Sequence, residues 1–308
     1  MTAPRRLMLL DTASLYFRAY FGIPEIKAPD GTNVNAVRGL LDFIARLVAD
    51  YQPTDLVCCW DDDWRPQWRV DLLPTYKAHR VVTERQEQPD VEEVPDPLER
   101  QVPIIREVLA ALGIPVVGAA EHEADDVIGT LATDAGMPVD IVTGDRDLFQ
   151  LIDDDAEVRV LYTARGVGKH ERVTDQVILD KYAVRAAQYA DFAVLRGDTS
   201  DGLPGVAGVG EKTAATLLGR FGDVDAIVAA AQDPDSDLAP GPRRKIKDAA
   251  AYLEVAPTVV RVVRDLDLGE VDTTLPTTPV DHEQCLALAA RWNLEGAMAR
   301  LVTALSER

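Results

Sequence analysis

Seven carboxylates fall into three tight clusters: Glu123-Ala-Asp125-Asp126, Asp145-Arg-Asp147 and Asp198-Thr-Ser-Asp201. Oxygen ligands at this density suit hard divalent cations, Mg²⁺ or Mn²⁺. Two such ions about 3.5–4 Å apart clamp the attacking and leaving oxygens of a phosphodiester and activate a bound water. Taken singly, each cluster has a plainer reading. Glu123, Asp125 and Asp126 open a helix, where acids favour the positive end of the dipole, and Asp145 with Asp147 reads equally as a helix cap plus a surface acid. Three clusters of one kind, each after a structural break, weaken those separate readings together.

The third cluster runs into Gly202-Leu-Pro-Gly-Val-Ala-Gly-Val-Gly210-Glu-Lys212, a pattern of helix, glycine hairpin and helix. Gly205, Gly208 and Gly210 let the amides of a helix start approach a phosphate closely, and Lys212 and Thr213 add side-chain contacts. Basic residues are scarce but gather in Arg65-Pro-Gln-Trp-Arg69 and Tyr76-Lys77-Ala-His-Arg80. Cations beside rings suit a phosphate to be cleaved and a base to be stacked. A third basic run, Arg243-Arg-Lys-Ile-Lys247, reads equally as a duplex contact or an exposed helix face.

Positioning these groups requires a framework. Leu7–Leu10, Leu56–Trp60, Pro115–Val117 and Asp140–Thr143 read as buried strands. Helix-period segments alternate with them, near Ser14–Phe21, Asn35–Ala49, Leu98–Leu112 and Glu123–Ala135. The alternation predicts an α/β fold with a mostly parallel central sheet flanked by helices. Ligands bind at the carboxyl ends of such strands, and Asp11, Asp61 and Asp145 fall there. The polar, proline-punctuated stretch from Val81 to Pro103 predicts a loop or partly helical excursion. Residues 1–190 thus form the α/β core and 191–308 a helical C-terminal lobe. The lobe carries segments near Ala186–Leu195, Lys212–Phe221, Asp223–Ala231, Ala249–Ala256 and Gln284–Leu305, with Pro234–Pro242 as a surface loop.

Composition sets outer bounds. The 308 residues are 47% hydrophobic, enough for a substantial core. A net charge of −20 opposes phosphate binding unless bound metal offsets part of it, because local field outweighs total charge. Three cysteines, two adjacent at Cys58-Cys59, offer no disulfide framework or zinc spacing and read as buried and reduced. The four histidines are scattered, and no apolar run approaches the ~20 residues that span a bilayer. The expectation is a soluble, cytoplasmic protein, with no membrane association.

Four of these motifs together resemble the structure-specific 5′-nucleases: flap endonucleases, phage 5′-exonucleases and the 5′-nuclease domain of bacterial DNA polymerase I. The motifs are Tyr76-Lys-Ala-His-Arg80, Glu123-Ala-Asp-Asp126, Thr143-Gly-Asp-Arg-Asp147 and the run from Gly197 to Lys212. The resemblance covers nearly the whole chain and implies a free-standing member with a PIN-like core and a helix–hairpin–helix element at about residues 203–220. It implies a first metal group of Asp11, one acid after Trp60, Glu123, Asp125 and Asp126, and a second of Asp145, Asp147, Asp198 and Asp201. Strand register favours Asp61 as the acid after Trp60, while the family's spacing to Trp68-Arg69 favours Asp62. Arg18, Lys77 and Arg80 would hold the scissile phosphate, Arg69 and the hairpin would contact DNA, and residues 81–103 would form the arch through which a 5′ strand passes. A K⁺ ion on hairpin carbonyls is also implied. Thr12 stands where the family has glycine. The implied activity is 5′-3′ exonuclease and flap endonuclease cleavage of DNA at 5′ flaps, gaps or ends, in cooperation with a DNA polymerase, with cleavage of RNA primers left open. A monomer is the default, because nothing in the sequence resembles a dimerising stripe. The rival readings are a non-catalytic binder of DNA structures and a single-strand ribonuclease of PIN-like architecture.

Overall fold

A computed structural model of the chain describes residues 5–83, 91–92 and 94–308. The core opens with β1 (Leu7–Asp11), α1 (Thr12–Gly22), α2 (Asn35–Tyr51), β2 (Asp55–Cys59) and α3 (Gln67–Leu72). A ribbon of β3 (Val81–Thr83) and β4 (Val91–Glu92) follows, then α4 (Asp96–Glu99), α5 (Gln101–Leu112), β5 (Val116–Val117), α6 (Ala124–Ala132) and β6 (Val139–Thr143). The core closes with β7 (Val158–Tyr162), β8 (Glu171–Val173) and α7 (Asp175–Tyr182). The remaining elements are helices: α8 (Tyr189–Arg196), α9 (Glu211–Phe221), α10 (Val224–Gln232), α11 (Pro240–Asp248), α12 (Ala250–Val260), α13 (His282–Trp292) and α14 (Glu295–Ser306), with an extended stretch between α12 and α13.

The main sheet has the order β5-β2-β1-β6-β7-β8, parallel throughout except for the antiparallel β7–β8 pair. Both faces are covered, so the central strands read as continuous apolar runs rather than alternating ones. Leu7 and Leu9 of β1 pack into one core with α6, α8, α9, α10 and α12. Met8 and Leu10, pointing the opposite way, pack into a second core with α2, α5, α13 and α14. The adjacent Cys58 and Cys59 are split between these two cores, free and buried.

The strands predicted from apolar runs are all present. The predicted helix near Gln284–Leu305 is two helices, broken at Asn293, which adopts the left-handed conformation. These last helices do not extend the helical lobe: they pack on α2 and α5, across the sheet from α8–α12. A stretch ending in Leu275 leads back to them and bonds alongside β2, with Leu56 N donating to Thr273 O at 2.9 Å. The surface loop expected over Pro234–Pro242 is shorter, because Pro240 starts α11, where its missing N–H costs nothing. Within the expected arch, residues 84–90 and 93 lie outside the described residues. Its described part is the β3–β4 ribbon followed by α4 and the start of α5.

Candidate active site

Three neighbouring parallel strands end at one place. Asp11 is the last residue of β1, Asp61 lies two residues beyond β2, and Asp145 two beyond β6. A cavity of about 380 Å³ opens there, lined by Asp11, Asp61, Glu123, Asp125 and Asp145 together with Lys77 and Arg80. Ser14, Phe17, Trp64 and, from the β3–β4 ribbon, Glu92 complete much of its wall.

Local bonding fixes each acid. Asp11 caps α1 by accepting from Ser14 N at 3.1 Å, and also accepts from Thr143 Oγ1 at 2.7 Å. Thr12 serves in place of glycine because it needs no left-handed backbone; it is fully buried at the first turn of α1. Asp61 accepts from Ala124 N at 2.8 Å, which ties the end of β2 to the start of α6. Asp145 takes the Asp147 amide at 2.9 Å in a tight local turn.

Burial and mutual repulsion push these carboxyls upward. Asp11 rises to about 7, from burial first and then the Asp61 charge. Asp61 rises to about 6, mainly through burial. Asp125 is raised well above the ordinary range by burial, Asp11 and Asp145, and Asp147 by burial, Asp145 and Asp201. Two cations face the group. Lys77 Nζ bonds Glu123 Oε1; burial works against its ammonium, yet the Glu123 charge holds its pKa well above the usual lysine value. Arg80 donates to Ser200 O at 2.8 Å and to Asp201 Oδ1 at 3.2 Å.

The second acidic group joins the site to the glycine hairpin. Asp198 accepts from Arg196 at 3.2 Å and from the Ser200 amide at 2.9 Å, and its backbone pairs with Leu203 across the turn. The Asp201 carbonyl accepts from Lys77 N at 3.0 Å. Gly202 has φ of 71°, and a Cβ there would run into the Thr75 carbonyl oxygen. Only glycine lets this loop lie against Tyr76-Lys77. Arg196 also reaches Glu211 at the start of α9, 3.5 Å away, so one side chain links Asp198 to the hairpin's second helix.

Not every residue singled out in the sequence arrives at the cavity. Asp62 turns away to pair with Arg106 at 3.3 Å and is 41% exposed. The register of β2 therefore prevails over the motif spacing, and Asp61 is the acid that faces the cavity. Arg69, read as a DNA contact, is only 2% exposed and is enclosed by Glu123, Asp126 and the Val259 carbonyl. Asp126 is fully buried against Arg69. Arg18 lies beside Gly144 and donates to Ala164 O at 3.3 Å, while its Nε is buried without a partner. Gly205 and Gly208 occupy left-handed turns of the hairpin, Gly210 caps α9, and Lys212 and Thr213 sit in its first turn. In the basic run, Arg243 is turned inward onto the Ser236 and Leu238 carbonyls, whereas Lys245 donates to Gly208 O at 2.7 Å. Sequence reasoning missed Glu92, Ser14 and the Tyr76 hydroxyl, which donates to Glu123 Oε2 at 2.7 Å. The position of Tyr76 beside Lys77 was the available signal.

Among the described residues, no three Asp, Glu, His or Cys side chains are arranged to hold an ion by themselves. The donors at the cavity are hard oxygens, and their raised pKa values mark buried negative charge that a cation would relieve. The residues fit divalent metal.

Residues 6–183 match the family model for the 5′-3′ exonuclease N-terminal resolvase-like domain, and residues 184–283 that for the 5′-3′ exonuclease C-terminal SAM fold. A 5′-3′ exonuclease of Streptomyces coelicolor is 60% identical over 300 residues, covering 97% of this chain and all of the relative. DNA polymerase I of Mycobacterium bovis is 40% identical over 289 residues, covering 90% of this chain and 29% of the polymerase. Among solved structures, T5 5′-exonuclease with bound divalent zinc ions superposes with a TM-score of 0.66 at 18% identity, covering 98% of this chain and all of that one. This last likeness is one of fold.

Proposed function

The chain belongs to the 5′-3′ exonuclease family, and we propose that its acidic cavity hydrolyses phosphodiesters of DNA bearing 5′ ends, gaps or flaps. As a family member it is a structure-specific 5′ nuclease and a hydrolase. The observation that carries the site assignment is the meeting of Asp11, Asp61, Glu123, Asp125 and Asp145 with Lys77 and Arg80 in one cavity at the ends of parallel strands.

Asp11, Asp61, Glu123 and Asp125 would hold one divalent ion, Mg²⁺ or Mn²⁺, and Asp145, Asp147, Asp198 and Asp201 another. When bound, such ions supply Lewis-acid polarisation of the phosphoryl group and activation of water. Lys77 and Arg80 carry charge toward the phosphoryl oxygens, where negative charge grows in the transition state. For that they must leave Glu123 and Asp201, which hold them in the free protein. Arg18, on α1 beside Gly144, does not line the cavity and would have to swing from Ala164 O to reach the phosphate. Phe17 and Trp64 line the cavity and would offer rings for a base to stack on.

The hairpin from Gly205 through Gly208 and Gly210 to Lys212 and Thr213 would take the duplex backbone on the amides that open α9. A K⁺ ion would sit on the hairpin's carbonyl oxygens, where Lys245 now donates to Gly208 O at 2.7 Å and would compete with it. The β3–β4 ribbon and the residues between its strands would form the arch for the 5′ strand. We place the protein in the cytoplasm as a monomer working beside a DNA polymerase, with RNA primers as further substrates.

The test is a substrate panel: 5′-flap DNA, single-stranded RNA and RNA–DNA hybrid, each with Mg²⁺ and with EDTA. Metal-dependent products from flap DNA support the proposal. Binding without products would identify a DNA-structure binder, and cleavage of single-stranded RNA alone would identify a ribonuclease.

A further inference from the structure

We propose that Arg69 and Tyr76 are positioning residues that aim Glu123 into the cavity, and that Asp126 belongs to this bracket and not to the metal. The inference rests on the reading of the cavity as a divalent-metal site.

An ionised carboxylate has about four lone-pair positions. In Asp126 all are taken. Oδ1 accepts from Arg69 Nη2 at 2.7 Å and from Val263 N at 2.8 Å, and Oδ2 accepts from Arg69 Nη1 at 2.9 Å and from Glu123 N at 3.3 Å. The residue is fully buried and does not line the cavity. Nothing on it is left to offer an ion.

Glu123 is bonded unequally. Its Oε2 takes Arg69 Nη1 at 2.5 Å and Tyr76 Oη at 2.7 Å, both from buried residues. Its Oε1 takes the mobile-ended Lys77 Nζ, and Glu123 and Lys77 both line the cavity. Two fixed donors on one oxygen therefore set the direction of the other. The bracket is itself anchored, because Arg69 Nε donates to Val259 O at 3.1 Å and Asp126 accepts from Val263 N. Both backbone groups lie at the end of α12 or just past it, so the helical lobe helps to aim an acid of the α/β core. Partners that orient a metal ligand in this way are worth about 10–100-fold in metal affinity.

The experiment is calorimetric titration of the full-length protein with Mn²⁺ alone, paired with single-turnover cleavage of 5′-flap DNA across Mn²⁺ concentrations. Tyr76→Phe removes only the hydroxyl and keeps the ring, so it carries the test should Arg69→Met or Asp126→Asn fail to fold. Tyr76→Phe should weaken Mn²⁺ binding about 10-fold, with cleavage restored at saturating Mn²⁺. The same change in a Glu123→Gln background should do nothing further, which a general structural role would not produce. Asp126→Asn should lower affinity yet leave the number of bound ions unchanged. Loss of one ion from the Asp126→Asn protein, or a full Tyr76→Phe effect without Glu123, overturns the proposal. Failure of the parental protein to bind Mn²⁺ would instead remove the metal reading of the cavity, and this inference with it.

Discussion

Replacing Asp11 with asparagine should stabilise the metal-free protein at pH 8 while abolishing cleavage. Asp11 is buried among like charges, and its carboxyl is raised from 3.8 to about 7. The unfolded carboxyl ionises near pH 4 and the folded one near 7, so between these values the folded state holds more protons. Stability therefore falls as pH rises through that window and stays low above it. At pH 8 the charged form costs about 4 kcal/mol, from about 1.36 kcal/mol per pH unit between the two values. Asparagine removes that cost. It keeps an oxygen for Ser14 N but presents an N–H to the Thr143 hydroxyl, which must then turn to accept. Allowing for that rearrangement leaves a net gain of about 1–3 kcal/mol, or about 2–6 °C in Tm. At pH 4 the cost to the parental protein drops below about 1 kcal/mol, and the difference should nearly vanish. Thermal unfolding of both proteins in EDTA at pH 8 and pH 4 checks this. An unchanged or lowered Tm at pH 8, or a gain independent of pH, would refute the electrostatic account of the site.

Other consequences follow from particular contacts. Arg69→Met leaves Glu123 and Asp126 without their shared cation and should cost about 3–5 kcal/mol in urea unfolding. Asp62→Ala should leave flap cleavage within about 2-fold of the parental rate, because surface changes of this kind shift energies by under ~0.5 kcal/mol. Asp61→Ala, tested in the same assay, should abolish it. Lys77→Ala should lower single-turnover cleavage by about 10²–10³-fold, the range for a lost transition-state donor, with a much smaller change in DNA affinity. Gly202→Ala adds a methyl against the Thr75 carbonyl at a φ of 71°, so the loop and Lys77 must move apart, and cleavage should fall with Tm.

The parts of the fold written as local pattern were legible. β1, β2 and β6 are apolar runs buried on both faces, and each ends in or leads into an acid that reaches the cavity. Long-range packing was not legible. The segment holding α13 and α14 is helical in pattern, but nothing in it states that it returns to α2 and α5 across the sheet. β7 follows an acidic turn at Asp153–Asp155 and its apolar run is interrupted by Arg159, while β8 has only three residues, so no continuous apolar run announced them. At the site, residue type gave the acids and cations, and strand register rightly favoured Asp61, but the family spacing pointed to Asp62 and the structure decides between them. Asp61 and Asp62 are chemically identical neighbours, and the end of β2 sets which faces the cavity. Arg69 looked like a surface cation because a lone arginine carries no mark of burial; its partners Glu123 and Asp126 lie more than fifty residues away.

The central claim is that these acids gather divalent ions where DNA is cut. Anomalous diffraction from crystals grown with Mn²⁺ tests it most directly. The account predicts two peaks about 3.5–4 Å apart, one against Asp11, Asp61, Glu123 or Asp125 and one against Asp145, Asp147, Asp198 or Asp201. Absence of peaks from this cavity, with Mn²⁺ bound elsewhere on the protein, would contradict it.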